Sequence, residues 1–482
     1  MPELIYVACA LAGLILILLL IMTLRAIAFK DKGTESAEGE KIEVRADELA
    51  RSLSEMIKCK TVSSSLKDEE DESEFIKFKK LLPKIFPYIY KKCVFEEVGS
   101  RAILYRLKGE SETNPTVLMA HYDVVFADEA LWDKPAFGGI IEDGYIWGRG
   151  AVDTKVTLNG IMSALNEHIK EGFVPKSDIY LAFSGNEEIS GDGAPSVVDI
   201  FEKRGIAPGF VLDEGGAVVS GAFPGVKEPC AMVGIAEKGM LNLEISYTCG
   251  GGHASTPPVK SPLGVLSRAC LRVEKHPFRM RYTKPTAEMF RVLGGKSKFL
   301  YRFIFANFRI FSPLIDLASK KFGGELNALL RTTCAFTQIE GTRGMNVIPP
   351  KVSCIANLRL IEGETKESAI KHLKRVIRDP RVEIKAICGN NPSVISKTDT
   401  EGYEKIKTSI QQCWDKTVVS PYLMFACSDS RHWGRISDKV YRFSALTLTK
   451  EERASIHGNN EKISLENIAK NYEFYYKLIK KC

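Results

Sequence analysis

The chain has 482 residues, 45% of them apolar, which is the composition of an ordinary globular protein long enough for more than one hydrophobic core. Its 67 basic and 60 acidic residues leave a formal charge of +7, spread without a basic block or a nucleic-acid motif, so a nucleic-acid partner is not expected. Twelve cysteines without a CxxC pair argue against a zinc ribbon or a disulfide framework and for scattered reduced thiols.

The stretch from Leu4 to Leu24 carries no charge, and a membrane helix needs about 20 residues. It exceeds a signal-peptide core of roughly 7 to 15 residues, so an uncleaved single-pass anchor is expected. Glu3 precedes it, and Arg25, Lys30 and Lys32 follow; by the positive-inside rule the body then lies on the cytoplasmic side. The absence of a usable glycosylation sequon agrees, since Asn114 and Asn391 are each followed by Pro. "DKGTESAEGEKIE" reads as a polar tether, and order is expected from Arg45.

"ADELARSLSEMIK" places Leu49, Leu53, Met56 and Ile57 on one helical face, and "SEFIKFKKLLPKIF" gives a second helix after an acidic run read as a solvated face. Short apolar runs, "TVLMA", "DIYLAF" and "GFVL", then alternate with helical stretches such as "TLNGIMSALNEHIK". This pattern predicts an α/β fold with a mostly parallel, buried sheet. Each run is followed by acids or histidine, where ligands gather in such sheets. From Lys238 the character shifts to alternating strands and helices, "LNLEISYT", "GVLSRACLRVEK", "VSCIANLRLIEG" and "ESAIKHLKRVIRD", which read as an inserted α+β domain. The expected division is 1–30 anchor and flank, 31–44 tether, 45–236 first part of the main domain, 237–389 insertion and 390–482 second part.

Of seven histidines, His168, His276 and His372 sit in charged contexts and are read as surface residues. His121 and Asp123, in "AHYDVV", are two apart at a strand end and share a face, which suits a metal-binding imidazole oriented by a carboxylate or a plain hydrogen-bonded pair. "WGRGAVDTK" supplies Asp153 in a glycine-rich turn. In "SGNEEISG" the adjacent Glu187 and Glu188 must point at different objects: one at a metal and one into a cleft as a base, or both as helix caps. Asp213 in "VLDEGG" offers another ligand, with Glu214 beside it facing structure. With His457 in "SIHGNNEKIS", two imidazoles and three carboxylates form the inventory of a two-metal hydrolytic site.

At these residues the chain resembles the dizinc aminoacylase and carboxypeptidase family, which includes carboxypeptidase S, acetylornithine deacetylase and succinyl-diaminopimelate desuccinylase. "MAHYDVV", "WGRGAVDTK", "SGNEEISG", "VLDEGG", "GGHASTPP", "NVIPP", "SDSRHW" and "IHGNNEKIS" occur in family order. Within it, "EKGMLNL", "RTTCAFT" and "NVIPP" are most similar to the carboxypeptidase S and N-fatty-acyl-amino-acid synthase/hydrolase branch. The resemblance implies a dizinc catalytic domain with an inserted lid/dimerisation domain and a homodimer. It implies that His121, Asp153 and Asp213 hold one zinc and Asp153, Glu188 and His457 the other, with Co2+ or Mn2+ as alternative metals. Glu187 would be the base, Asp123 would orient His121, and His253 on the lid would reach a partner subunit's site. Asn346 and Arg431 match substrate-contacting positions. Thr154 departs from the second Asp that many relatives carry after the bridging one.

The implied reaction is hydrolysis of an amide next to a free carboxylate, in a dipeptide or an N-acyl amino acid. The rival reading is a membrane-tethered scaffold that has kept the fold without catalysis. "KFLYRFIFANFRIF" is expected to be buried lid or dimer core, with an acyl-chain channel or a membrane-lying surface as the alternatives.

Overall fold

The computed structural model describes residues 2–31, 37–65, 70–221 and 223–482. Lys32 and much of the tether, and residues 66–69 of the acidic run, lie outside the described residues. The rest of that run is not simply solvated, because Glu70 and Glu72 both accept hydrogen bonds from Arg101.

The chain is organised on an eight-stranded sheet in the order Val94–Val98, Ala102–Leu107, Ser177–Ser184, Ser111–His121, Phe210–Val219, Val440–Thr447, Cys230–Glu237, Val418–Met424. The four central strands, from Ser177–Ser184 to Val440–Thr447, run parallel, while the outer pairings are mostly antiparallel. Thr116 to His121 and Asp178 to Ser184 are buried without interruption, because helices cover both faces and neither face alternates with solvent. The helix Lys155–Lys170 lies on one face and packs against the closing helix Leu465–Ile479. Gly160 makes that approach possible: a Cβ there would collide with Asn471. Ser464 caps the closing helix by accepting from the Asn467 amide.

A second, antiparallel sheet is formed by Thr333–Glu340, Lys351–Leu360, Gly239–Thr248 and Val382–Asn390, in that order. Its own core joins Leu241, Leu243 and Ile245 to Leu266 and Leu373 of the helices Pro262–Lys275 and Lys366–Ile377. The insertion also returns to the main body. The helix Lys284–Lys296 packs on the edge strand Val418–Met424, so Met289, Phe290 and Leu293 share a core with Cys230, Val418 and Leu423. The chain enters and leaves the second sheet beside Glu237, whose amide donates to Ser393 Oγ at 2.8 Å and whose carbonyl accepts from the Ser393 amide at 3.1 Å.

The aromatic stretch is only partly buried within the chain: it forms the helices Phe299–Ala306 and Phe308–Phe322, in which Phe308 joins the core that includes Val418 and Leu423 while Leu300, Leu314 and Leu317 stand exposed. The expectation for His168 is corrected: it is not a surface residue. It is 2% exposed, stacks on Tyr476 with ring centroids 4.0 Å apart and donates from Nε2 to the Tyr476 carbonyl at 2.8 Å. Lysines and glutamates flank it in sequence, but the helix turns this position inward against the closing helix.

Burial lowers the His168 pKa below its ordinary value. Its contribution to stability is therefore complete above the unfolded value near 6.5 and is lost as pH falls through the depressed folded value. In urea unfolding at pH 7 and pH 5, His168→Gln should lose less stability on acidification than the parent chain. An equal loss would exclude His168 as a contributor.

Candidate metal centre

Three neighbouring parallel strands deliver their carboxyl ends to one place. His121 ends Ser111–His121, Glu187 and Glu188 follow Ser177–Ser184, and Asp213 and Glu214 lie within Phe210–Val219. Asp153 precedes the helix Lys155–Lys170, and His457 follows Lys450–Ser455 in a left-handed conformation, φ 59°. The Asp153 carboxylate lies between the two imidazoles, with Oδ1 3.0 Å from His121 Nε2 and Oδ2 3.1 Å from His457 Nε2. Glu188 meets His457 Nε2 with both oxygens, at 3.2 and 3.1 Å.

The adjacent glutamates fan apart because Asp123 holds both of their backbones. Its Oδ1 accepts from the Glu187 amide and its Oδ2 from the Glu188 amide, each at 3.1 Å, and Ser63 Oγ donates to Oδ2 at 2.6 Å. Glu188 then faces Asp153 and the imidazoles, while Glu187 groups with His121 and Glu214. The expected orientation of His121 by the Asp123 carboxylate is corrected in detail. His121 Nδ1 donates to the Asp123 backbone carbonyl at 2.9 Å, and the carboxylate stands 3.5 Å away.

Asp213 and Glu214 exchange their expected places. The strand continues through both residues, so their side chains point to opposite faces. Glu214 Oε1 comes within 3.3 Å of His121 Nε2, whereas Asp213 Oδ2 turns away and accepts from the Ser430 amide at 2.9 Å. Glu214 therefore faces the cluster, and Asp213 supports the turn that carries Arg431.

The remaining predicted residues stand outside this cluster's hydrogen bonds. His253 and Asn346 sit together on an exposed ribbon formed by Gly252–His253 and Val347–Ile348, where the Ala254 amide donates to the Asn346 carbonyl. His253 Nδ1 accepts from the Ser255 amide at 3.2 Å and lies 2.7 Å from Ser255 Oγ. Arg431 is half-buried and donates from Nη1 to the Ser428 carbonyl at 2.7 Å.

Sequence reasoning assigned no role to Glu461, four residues after His457. It is fully buried: Oε1 accepts from the Val152 and Asp153 amides at 2.7 and 3.2 Å, and Oε2 from Arg149 Nη1 and the Gly150 amide at 2.9 and 3.1 Å. One carboxylate thus shapes the whole loop that presents Asp153 and ties it to the His457 loop. Only its unusual place, a charged residue in a loop already carrying a candidate ligand, hinted at this.

The electrostatics of the cluster favour positive charge. Burial pushes the Glu187 carboxyl well above the usual range, with Asp429, Glu214 and Glu188 adding to the effect. Burial likewise raises Glu188, and it raises Glu214 to about 8 with Asp153 and Asp213 close by. His457 is pushed up to about 10 by its hydrogen bonds to Asp153 and Glu188. In His121, burial opposes the charge, but Glu214 and the other carboxylates outweigh it and raise its pKa. Only Asp153, hydrogen-bonded to both imidazoles against the cost of burial, is held below its ordinary value. Buried carboxylates that favour protons around two imidazoles are what divalent cations would displace, and nitrogen and carboxylate donors suit zinc, cobalt or manganese. Two groups, His121–Asp153–Glu188 and His121–Glu187–Glu214, each bring their donor atoms within 4.8 Å of one another.

This arrangement agrees with comparison to known proteins. The family model described as peptidase family M20/M25/M40 matches residues 117–481. The chain belongs to this peptidase family. Among M20 relatives, a probable carboxypeptidase S-like 2 of Dictyostelium discoideum is 35% identical over 445 residues, covering 90% of this chain and 85% of that one. The N-fatty-acyl-amino acid synthase/hydrolase PM20D1 of Xenopus tropicalis is 33% identical over 482 residues, covering 98% and 94%. The M20 family metallo-carboxypeptidase Sso-CP2 of Sulfolobus solfataricus shares the fold with a TM-score of 0.68 at 17% identity, covering 90% of this chain and 99% of that one. The protein is an M20 enzyme of the metallopeptidase and amidohydrolase type, with an α/β catalytic sheet and an inserted α+β unit.

Proposed function

We propose that the protein hydrolyses an amide bond next to a free carboxylate, in a dipeptide or an N-acyl amino acid, at a site for two divalent metal ions, most simply zinc. The observation that supports this most strongly is the Asp153 carboxylate, with one oxygen toward each imidazole, as a bridging ligand requires. On this reading His121 and Glu214 complete one metal position, and Glu188 and His457 the other. Glu214 takes the place first given to Asp213, because it is Glu214 that faces His121.

When bound, the ions would supply Lewis acidity to activate the attacking water and polarise the amide carbonyl. Glu187 takes the proton from the attacking water and delivers it to the leaving nitrogen, and its raised affinity for protons suits that shuttle. Three ligand carboxylates leave two divalent ions with a net positive charge, and Arg431 adds another, so the substrate's own carboxylate is drawn to this end of the site. The 35% and 33% identical relatives, named as carboxypeptidase-like and as an N-fatty-acyl-amino acid synthase/hydrolase, support both substrate types.

The inserted unit, 237–389 as first divided, is read as a lid and dimerisation domain, with His253 and Asn346 on its exposed ribbon reaching a substrate from a partner subunit. The N-terminal helix Pro2–Ala28, apolar over Glu3–Ala28 and exposed except near its C-terminal end, is read as a membrane anchor with the body on the cytoplasmic side.

The test is metal content and amide cleavage on the same preparation, with an N-fatty-acyl amino acid, an N-acetyl amino acid and a dipeptide as substrates. Chelation should abolish cleavage and zinc should restore it. Glu214→Gln should retain about one metal of two, while Asp213→Asn should retain both. Two metals without cleavage of any substrate would favour the scaffold reading instead.

A further inference from the structure

The helix Pro2–Ala28 is exposed along nearly its whole length, and the exceptions are informative. Met22 is 4% exposed and Ala26 is fully buried, both near its C-terminal end, where it packs against the helix Phe299–Ala306. Asn307, at the corner between Phe299–Ala306 and Phe308–Phe322, donates from Nδ2 to the Met22 carbonyl at 3.1 Å. The chain leaving the helix is also held. Gly294 and Gly295 let it approach, because a Cβ on Gly294 would meet the Phe29 ring at 3.2 Å and one on Gly295 the Phe29 carbonyl at 2.9 Å. The Asp31 amide donates to the Gly295 carbonyl at 3.3 Å, and Lys296 pairs with Asp31 at 3.1 Å.

The helix hairpin that grips the apolar helix is itself apolar on its outside. Ile310, Leu314 and Leu317, spaced four and three apart, form one stripe on Phe308–Phe322 and are 45%, 64% and 64% exposed. Leu300 at 67% and Phe322 at 79% are further exposed apolar side chains on the same two helices. Arg309, Lys320 and Lys321 are exposed beside it. An apolar stripe edged by cations is the composition of a helix lying in a membrane interface.

Depth decides which occupant covers it. At 1.5 Å rise per residue, Met22 lies roughly 3 to 5 Å inside the end of the uncharged run at Leu24, so the corner at Asn307 stands at the boundary between acyl chains and headgroups. This holds whichever side of the membrane the body occupies. We propose that residues 299–322 form a second membrane attachment: the exposed stripe lies in the interfacial layer of the leaflet from which the N-terminal helix emerges, with Arg309, Lys320 and Lys321 at headgroup level. The proposal rests on reading Pro2–Ala28 as an anchor.

The test uses the full chain in phosphatidylcholine vesicles, with and without phosphatidylserine, whose acyl chains are brominated near the headgroup or near mid-chain. Leu317→Trp reports on the stripe, Leu14→Trp on the anchor, and Lys371→Trp, exposed on the inserted unit, serves as the control. The emission added at 317 should shift to the blue and fall about twofold with shallow bromine, while that at 371 stays unquenched. Quenching at 14 without quenching at 317 would overturn the attachment and leave the anchor standing. No quenching at either position would overturn both. A blue shift at 317 that ignores bromine and depends on protein concentration would assign the stripe to a second copy of the chain and overturn the proposal.

Discussion

Glu187→Gln should lower kcat by about 10²- to 10⁴-fold, the range lost with a general acid–base group, and leave the metal content unchanged. The substitution keeps the side-chain volume, and the contacts that place this loop are not made by the Glu187 side chain. They are the backbone amides of residues 187 and 188, held by Asp123. What is removed is the carboxylate that accepts a proton. Metal analysis beside steady-state kinetics separates the two roles open to this residue, since Glu187 also lies within reach of His121 and Glu214. Loss of one metal in Glu187→Gln would make it a ligand rather than the base, and near-parental turnover would remove it from the chemistry.

The second large effect is expected at a carboxylate that supports the Asp153 loop without touching a reacting atom. Glu461→Ala should destabilise the chain by about 3–5 kcal/mol in urea unfolding, because it leaves the Arg149 guanidinium buried without its partner. It should also lower the metal content, since the amides of Gly150, Val152 and Asp153 lose the acceptor that shapes their loop. The double variant Arg149→Met, Glu461→Met distinguishes these consequences. Removing both charges should recover part of the stability without recovering the metal. If the double variant bound two metals like the parent chain, the loop would hold Asp153 without Glu461, and its role would be limited to the ion pair.

Much of this molecule could be read from its residues. Apolar periodicity announced the helices Ala46–Ile57 and Glu72–Ile85, and unbroken apolar runs announced the parallel strands. His121, Asp153, Glu188 and His457 were recognisable because each stands in a short polar motif directly before or after a regular element, and the structure brings all four together. The exchange of Asp213 and Glu214 was not legible: it depends on whether the strand stops before the two acids or runs through them. Glu461 was missed because its function lies in accepting backbone hydrogen bonds, and these leave no sequence pattern. What covers the aromatic stretch was not legible, because composition reports only how apolar a segment is.

The return of the helix Lys284–Lys296 to the edge strand Val418–Met424 divides the insertion mechanically. Lys238 reinforces that division, donating from Nζ to the Ala328 and Arg331 carbonyls at 3.0 and 2.8 Å just where the chain passes on to the second sheet. The aromatic hairpin therefore belongs to the same chassis as the carboxylate cluster, although in sequence it sits between segments of the other unit. If the four-stranded unit swings to enclose a substrate, it can do so without levering the hairpin out of its surroundings. Closure and attachment then draw on separate joints, and a change in one need not be felt as a load on the other.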